Sequence, residues 1–442
     1  MEKKIYVYEN WSSDTPKKLG TLFIDSIRGG EHSSFQFDPA FLADACASQM
    51  LMLDPNLSLV KGRQFPATGK PTFGIFSDSS PDRWGRLLME RREKLNADKD
   101  DRKPNKLLDS DYLLGVYDES RMGALRFALE DGGAFLSNDK ETAAPPWATL
   151  RTLEQASREF EKDENALIDK WLNQLLRPGS SLGGARPKAT VQDPDGNLWI
   201  AKFPSRKDTS NVGAWEKVAH ELAKMCGLNV PEAKLEKFST LGSTFLVKRF
   251  DRDGNRRIHF ASAMTMLGKQ DGDHDASYLD IVDFIKAYGT NVKADLIELW
   301  KRIVFSMAIS NTDDHLRNHG FVLINGGWQL SPLYDVNPVP YGNELALCVD
   351  TTDASISIDL AIETAKYYGI DDEAAKKYAR GILTTVKSNW ESVATKCGLG
   401  RGEIENMRPA FKESEKRADT IVQLRKEKSW SKTKRPAQTK RL

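Results

Sequence analysis

Apolar and polar positions alternate over the first forty residues, and this period of two predicts short strands at Ile5 to Tyr8, Leu19 to Phe23 and Ser34 to Phe37. The period then lengthens. Asp38 to Met50 predicts a helix, with Asp38 as its cap and Pro39 in the first turn, where the missing N–H costs nothing. Pro55, Gly62, Pro66, Gly69 and Pro71 mark a looped region. Ser80-Pro81-Asp82 predicts a second helix start, with the Ser80 hydroxyl as cap, proline in the first turn and an acid at the positive end. Trp84, Leu87, Leu88 and Arg91 share one face of that helix. Gly123 to Leu129 predicts a strand that closes an α+β unit. Glu130 to Trp147 is rich in Gly, Asp and Pro and predicts a linker or long surface loop.

Leu150 to Phe160 and Ala166 to Leu176 predict two helices. Ala189 to Val191 and Leu198 to Phe203 predict a hairpin around Pro194-Asp195-Gly196-Asn197. Asn211 to Cys226 predicts a helix that buries Val218, Ala219, Leu222, Ala223 and Cys226. Two more strands follow, Val230 to Phe238 and Ser243 to Phe250, around Leu241-Gly242. Beyond Ala261 the pattern is mostly helical, broken by a hairpin of Phe321 to Ile324 and Trp328 to Leu330. No internal repeat is visible.

Composition narrows the class. A chain of 442 residues predicts two or three domains or lobes. Hydrophobic content of 40% and charged content of 29% fit a soluble globular protein. No apolar run approaches the roughly 18 residues of a membrane span, and the N-terminus lacks the apolar region of a signal peptide, so a cytoplasmic location is expected. Cys46, Cys226, Cys348 and Cys397 form no close pair, which points to thiols in a reducing compartment and not to disulfides or zinc. The net charge of +1 excludes a polyanion binder as a whole. The tail after Lys426 is the exception, with Lys432, Lys434, Arg435, Lys440 and Arg441. It reads as a disordered, solubilising end or as a nucleic-acid contact.

The chemistry concentrates between Ser310 and Asp335. Asp313 and Asn318 stand five residues apart, in the D-x-x-x-x-N spacing of a phosphoryl-transfer loop, and Asp335 follows the predicted hairpin. One carboxylate orients an attacking hydroxyl; an amide oxygen and a second carboxylate hold a metal on the phosphates. Asp and Asn also form turns, but three at these spacings after a buried-looking helix (Leu299, Ile303, Val304, Met307) favour the functional reading. Upstream, Ser180 to Lys188 is glycine-rich, so its backbone can approach phosphate closely. It matches neither GxxxxGK[ST] nor GxGxxG, and taken alone it reads as an ordinary turn. Lys202, on a strand after that loop, can reach a phosphate or simply face solvent. Glu216 is a partner for it or a solvated helix residue. Asp271, Asp273 and Asp275 lack the Gly and Glu of a calcium loop. His315 and His319 lack the surrounding HExxH of a zinc protease.

The order of these parts, and the wording of Ser181-Leu182-Gly183-Gly184-Ala185-Arg186-Pro187-Lys188, Val247-Lys248-Arg249-Phe250-Asp251-Arg252, Asn311 to Asn318 and Leu333-Tyr334-Asp335, resembles the HipA family. These are serine/threonine kinases that act as toxins of bacterial type II toxin–antitoxin systems. The resemblance covers nearly the whole chain. It implies an α+β, protein-kinase-like two-lobed fold with a small N-terminal α/β subdomain and a mostly helical C-terminal lobe. Residues 1–130 would be that subdomain and 131–260 linker helices with the β-rich nucleotide lobe. Residues 261–425 would be the helical catalytic lobe and 426–442 a disordered basic tail.

The resemblance also implies roles. Asp313 would be the base, and Asn318 and Asp335 would hold Mg²⁺. Lys202 would contact the ATP phosphates, and the backbone of Gly183, Gly184 and Ala185 with Arg186, Pro187 and Lys188 would line them. Lys248, Arg249 and Phe250 would form the adenine-facing hinge, with His315 and Tyr334 beside the nucleotide. Ser181, or its neighbour Ser180, would be autophosphorylated. A HipB-like helix-turn-helix antitoxin would be the partner, with DNA reached only through it, and an aminoacyl-tRNA synthetase the protein target. The chain departs from the best-known member at Lys248, where a glutamate is usual, and at Arg186-Pro187, which replaces a Gln-Glu type pair. Two other readings stand beside this one: a small-molecule kinase of the aminoglycoside type, and a non-catalytic corepressor partner of a DNA-binding antitoxin.

Overall fold

A computed structural model describes residues 2–27, 30–44, 51–138, 144–162, 175, 184, 186–273 and 275–418. The N-terminal unit is built on four antiparallel strands, β1 (Lys3–Glu9), β2 (Lys17–Ile27), β3 (Gly30–Phe37) and β4 (Leu125–Ala128), in the order β3-β2-β1-β4. The predicted alternation is seen in its inward side chains: Ile5, Val7, Leu22, Ile24, Phe35 and Phe37 are all buried. Helix α1 (Pro39–Ala43) is capped by Asp38 with Pro39 at its start. The remainder of that predicted helix, after Asp44, lies outside the described residues. Helix α2 (Gly74–Asp78) precedes α3 (Arg83–Lys99), and α4 (Asp109–Leu114) precedes β4.

One expectation for this unit needs correction. The cap of α3 is Asp82, whose carboxylate accepts the Gly85 N–H at 2.9 Å, and not Ser80, whose hydroxyl donates back to Phe76 O. A carboxylate serves the orphan N–H groups and the helix dipole together, so the acid takes the cap and Pro81 is left outside. Of the two expectations for the stretch after Glu130, a linker or a long surface loop, the described part fits the loop. Its first part folds back on β4, with Leu136 N–H donating to Phe127 O, and Phe135 packs edge-on against Tyr8.

The second unit begins with α5 (Leu150–Lys162) and the strands β5 (Lys188–Gln192) and β6 (Leu198–Lys202). Helix α6 (Val212–Met225) and strands β7 (Ala233–Glu236) and β8 (Thr244–Lys248) complete a sheet of order β5-β6-β8-β7. Of the predicted helix Ala166 to Leu176, all but Leu175 lies outside the described residues. A two-stranded ribbon, β9 (Arg252–Asp253) with β10 (Arg256–Arg257), leads out of this lobe.

The third unit is less purely helical than expected. It carries a sheet of β11 (His259–Ser262), β12 (Gly320–Ile324) and β13 (Gly327–Leu330), turned at Asn325 and Gly326, both with left-handed φ. Around it stand α7 (Ala263–Met266), α8 (Tyr278–Tyr288), α9 (Val292–Ala308), α10 (Ile358–Thr364), α11 (Asp372–Lys396) and α12 (Arg401–Met407). Helix α9 runs through the core: Leu299, Trp300, Ile303, Val304, Phe305 and Met307 are buried on several sides.

The N-terminal unit is locked to both other units by buried charge. Arg249 donates to both oxygens of Asp251, at 2.8 and 2.6 Å, and to the carbonyls of Ser120 and Arg121. Asp251 also accepts the Gly123 N–H at 2.8 Å. On the other side, Asp78 accepts the backbone N–H and hydroxyl of Ser262 at 2.7 and 2.9 Å.

Burial pushes the Asp78 carboxyl up to about 6, against its hydrogen bonds to Ser262 and Thr265 and the charge of Arg317. The folded state therefore holds this proton more tightly than the unfolded chain does. The associated stability is fully present below about pH 4 and declines as pH rises to about 6. Asp78→Asn is expected to flatten the pH dependence of the unfolding midpoint across that window. Parallel curves for the two proteins would show that Asp78 is not the group responsible.

Candidate active site

The loop that follows α9 is set by its buried members. Ser310 turns the chain with φ +50°, and Asn311 is buried, with its amide donating to Ser306 Oγ. Asp314 faces inward. Its carboxylate accepts from the Tyr278 hydroxyl at 2.6 Å and from Ser306 Oγ at 3.2 Å, and His319 Nε2 lies 2.9 Å away. Burial works against this charge, but His319 and the hydrogen bonds outweigh it and hold the carboxyl below the usual range. Anchoring Asp314 turns its neighbour outward.

Asp313 presents a side chain that is 82% exposed, with His315 Nε2 3.9 Å from its carboxylate. The surrounding protein removes part of its solvation and shifts the carboxyl upward; His315 opposes this, and Asp335 and Asp314 reinforce it. With most of the side chain in solvent, screening keeps that shift subordinate to position. Asn318 bonds the loop together, its amide donating to Asp313 O at 2.7 Å. Asn318 is 3% exposed, and its Oδ1 is buried without a partner among the described residues.

Asp335 follows β13 in a left-handed backbone conformation, φ +57°. Such conformations cost free energy in residues other than glycine and gather at functional sites. Its carboxylate accepts from Lys202 Nζ at 2.6 Å, and the same ammonium donates to Glu216 Oε1, also at 2.6 Å. Burial opposes the Lys202 charge, yet Asp335 and Glu216 together carry it above the ordinary lysine range. Burial raises Glu216, which Lys202 only partly offsets, whereas Lys202 brings Asp335 below its usual range despite burial. A buried acid, Glu216, and a partly buried one, Asp335, share one amine here, so the cluster carries one more negative than positive charge. An orphaned amide oxygen and an anionic carboxylate are hard oxygen donors, and they fit a magnesium ion.

Beside this cluster lies an apolar pocket. Ile200, Ala219, Val247, Phe250, Leu333 and Val336 line it, with Lys202, Glu216 and Asp335 at its polar end. Phe250 packs 5.7 Å from Tyr334 and 5.8 Å from Phe260, ring centre to ring centre. Tyr334 is fixed by its hydroxyl, which donates to Arg317 O at 2.7 Å. Lys248 and Arg249 border the pocket, but the Arg249 guanidinium turns away into the lock with Ser120, Arg121 and Asp251. His220, on α6, also lines the pocket, and nothing in its helical spacing signals this.

The glycine-rich loop is partly described. Ser180, Ser181, Gly183 and Ala185 lie outside the described residues. Gly184 has φ +59°. Arg186 pairs with Asp208 through both ends of its guanidinium, at 2.5 and 2.7 Å, and Pro187 O accepts the Phe203 N–H. Those side-chain bonds direct Arg186 to Asp208 and not toward Lys202. Lys188 is buried and donates to Asp82 at 2.8 Å and to Gly184 O at 3.3 Å. Asp82 and Asp314, like His220, are polar residues of the site that sequence reasoning misses. Asp82 lies 106 positions from its partner, and Asp314 stands beside an equally acidic neighbour.

Comparison with known proteins bears on the same residues. Residues 180–390 match the family model for a HipA-like C-terminal domain. A protein of Sinorhizobium fredii, "Putative kinase Y4dM", is 27% identical over 262 residues, covering 52% of this chain and 63% of that protein. A "Putative kinase" of Haemophilus influenzae is 30% identical over 187 residues, covering 37% and 54%. The chain thus spans less than two thirds of either relative. A chain from the Shewanella oneidensis toxin–antitoxin complex of HipA, HipB and operator DNA superimposes with a TM-score of 0.61 at 15% identity. That match covers 96% of this chain and 99% of the other, and it shows the fold: α+β, two-lobed and kinase-like. Residues 180–390 of this chain are thus similar to the HipA-like C-terminal domain.

Proposed function

We propose that this chain is an ATP- and Mg²⁺-dependent serine/threonine-protein kinase toxin of the HipA type. The observation that carries the reading is the buried Oδ1 of Asn318, without a partner among the described residues, with Asp335 held by Lys202, which Glu216 also binds, and with Asp313 standing outward. The kinase names of the two relatives support it.

The residues would act as follows. The apolar pocket around Phe250 takes the adenine base, with backbone groups of the 248–250 segment at its edge. Lys202 is held extended by Glu216 and contacts the phosphates, with Lys188 and the Gly183–Ala185 backbone beside it. Asn318 and Asp335 would hold Mg²⁺, which neutralises phosphate charge. Asp313 accepts the proton of the acceptor serine hydroxyl and orients its oxygen in line with the γ-phosphoryl group. The chain contributes positioning and electrostatics, and no covalent intermediate is needed.

By the same resemblance, the protein target is an aminoacyl-tRNA synthetase, whose phosphorylation would arrest growth. Ser181 or Ser180 is the internal acceptor. A phosphate there adds a charge of about −1.5 to −2 and would compete with the ATP phosphates for the same lysines. A HipB-like helix-turn-helix antitoxin is the partner, a reading supported by the composition of the Shewanella oneidensis complex. DNA would be contacted through that antitoxin. Among the described residues no helix is long and apolar enough to cross a membrane, in keeping with action in the cytoplasm.

Intact mass after incubation with Mg-ATP, followed by peptide mapping, tests this directly. The expected result is one added phosphoryl group on Ser180 or Ser181. An unchanged mass together with no ATP binding by calorimetry would overturn the reading.

A further inference from the structure

The amine of Lys188 is fixed by a residue from another unit of the chain. Its ammonium donates to Asp82 Oδ2 at 2.8 Å and to Gly184 O at 3.3 Å, and the pair is almost wholly buried. Asp82 is itself pinned, because Oδ1 caps α3 through the Gly85 N–H. Two residues on, Trp84 Nε1 donates to the carbonyl of Lys188 at 3.1 Å, so the first turn of α3 holds both ends of that residue. Trp84 is packed among Leu88, Leu95, Ala156 and Leu175. Lys188 stands directly across the β5–β6 ladder from Lys202, the lysine that grips Asp335 and Glu216. Neighbours across a ladder project to the same face, and the Lys188 charge is felt at Asp335.

We infer that Asp82 is a positioning residue for nucleotide phosphate: it orients Lys188 at the mouth of the phosphate loop and makes phosphate affinity depend on the N-terminal unit. This rests on the kinase reading. An ammonium has three N–H donors; two are used by Asp82 and Gly184, and the third serves a phosphate oxygen. Asp82 thus aims the lysine without consuming it. A carboxylate fixed by a helix cap loses little entropy in doing so.

Asp82→Asn and Asp82→Ser test this, since both residues cap helices well and both remove the carboxylate charge. Calorimetry would be run with ATP and with adenosine, on the full chain, alongside thermal melting. We expect ATP affinity to fall about tenfold and adenosine affinity to stay unchanged. In a Lys188→Met background the same substitutions should have no further effect on ATP. Equal losses for ATP and adenosine, or tighter ATP binding, would overturn the inference, as would a loss that persists without Lys188. If the unaltered chain bound no ATP, the kinase reading would fall and this inference with it. Normal ATP binding that is indifferent to Asp82 would overturn this inference alone.

Discussion

Asp313→Asn is expected to lower phosphoryl transfer by about 10²–10⁴-fold while leaving ATP affinity close to that of the unaltered chain. The substitution keeps the shape of the side chain and removes its ability to accept a proton. It leaves the loop intact, because the loop is held from elsewhere. Asn318 bonds the backbone carbonyl of residue 313, and the buried anchor is Asp314, bonded to Tyr278, Ser306 and His319. ATP is held by Lys202 and the apolar pocket in this scheme, not by Asp313. Single-turnover transfer of the γ-phosphoryl group, with ATP affinity measured in parallel, separates the two effects. Full transfer by the variant would remove Asp313 from the mechanism. The same scheme predicts that transfer rises with pH as Asp313 ionises, through a midpoint shifted upward from an ordinary aspartate.

Asp251→Ala should destabilise the fold by about 3–5 kcal/mol, the usual cost of breaking a buried charge pair from one side. Asp251 is fully buried, and two guanidinium groups and one backbone N–H converge on it, from Arg249, Arg252 and Gly123. Burial alone would raise its carboxyl, but the two arginines hold it far below the ordinary range. A depressed carboxyl contributes stability that is complete above about pH 4 and is lost only as pH falls through its folded value. Urea unfolding at neutral pH measures the loss. A change below about 1 kcal/mol would mean that the pair adds little to what Arg249 gains from the carbonyls of Ser120 and Arg121. Because this lock ties the pocket-bordering 248–250 segment to the N-terminal unit, the variant should also weaken nucleotide binding.

Part of this site is legible in the amino-acid order, because its parts are local. Asp313 and Asn318 meet through one loop, and the hairpin before Asp335 announces itself by alternation around Asn325-Gly326. Lys202 and Glu216 are fourteen residues apart, on a strand and the helix that follows it, and that spacing makes them candidate partners, as they are in the fold. That Lys202 is shared with Asp335 carries no local signal. Spacing to Asn318 singles out Asp313 over Asp314, but no local signal says that the first is exposed and the second sealed. Local preference alone puts the cap of α3 at Ser80. Asp82 takes it instead, from a position that also faces Lys188.

By itself, then, the amino-acid order determined which residue types stand ready for phosphoryl transfer and on which elements, since periodicity, caps and turns act over a few residues. Only the tertiary structure decided which of them are buried, which charges are shared and which unit controls which. Asp82 reaches Lys188 across 106 positions, and Arg249 reaches Ser120 across 129. Such contacts depend on how the units pack, and packing decides where charge is stripped of water and must find a partner.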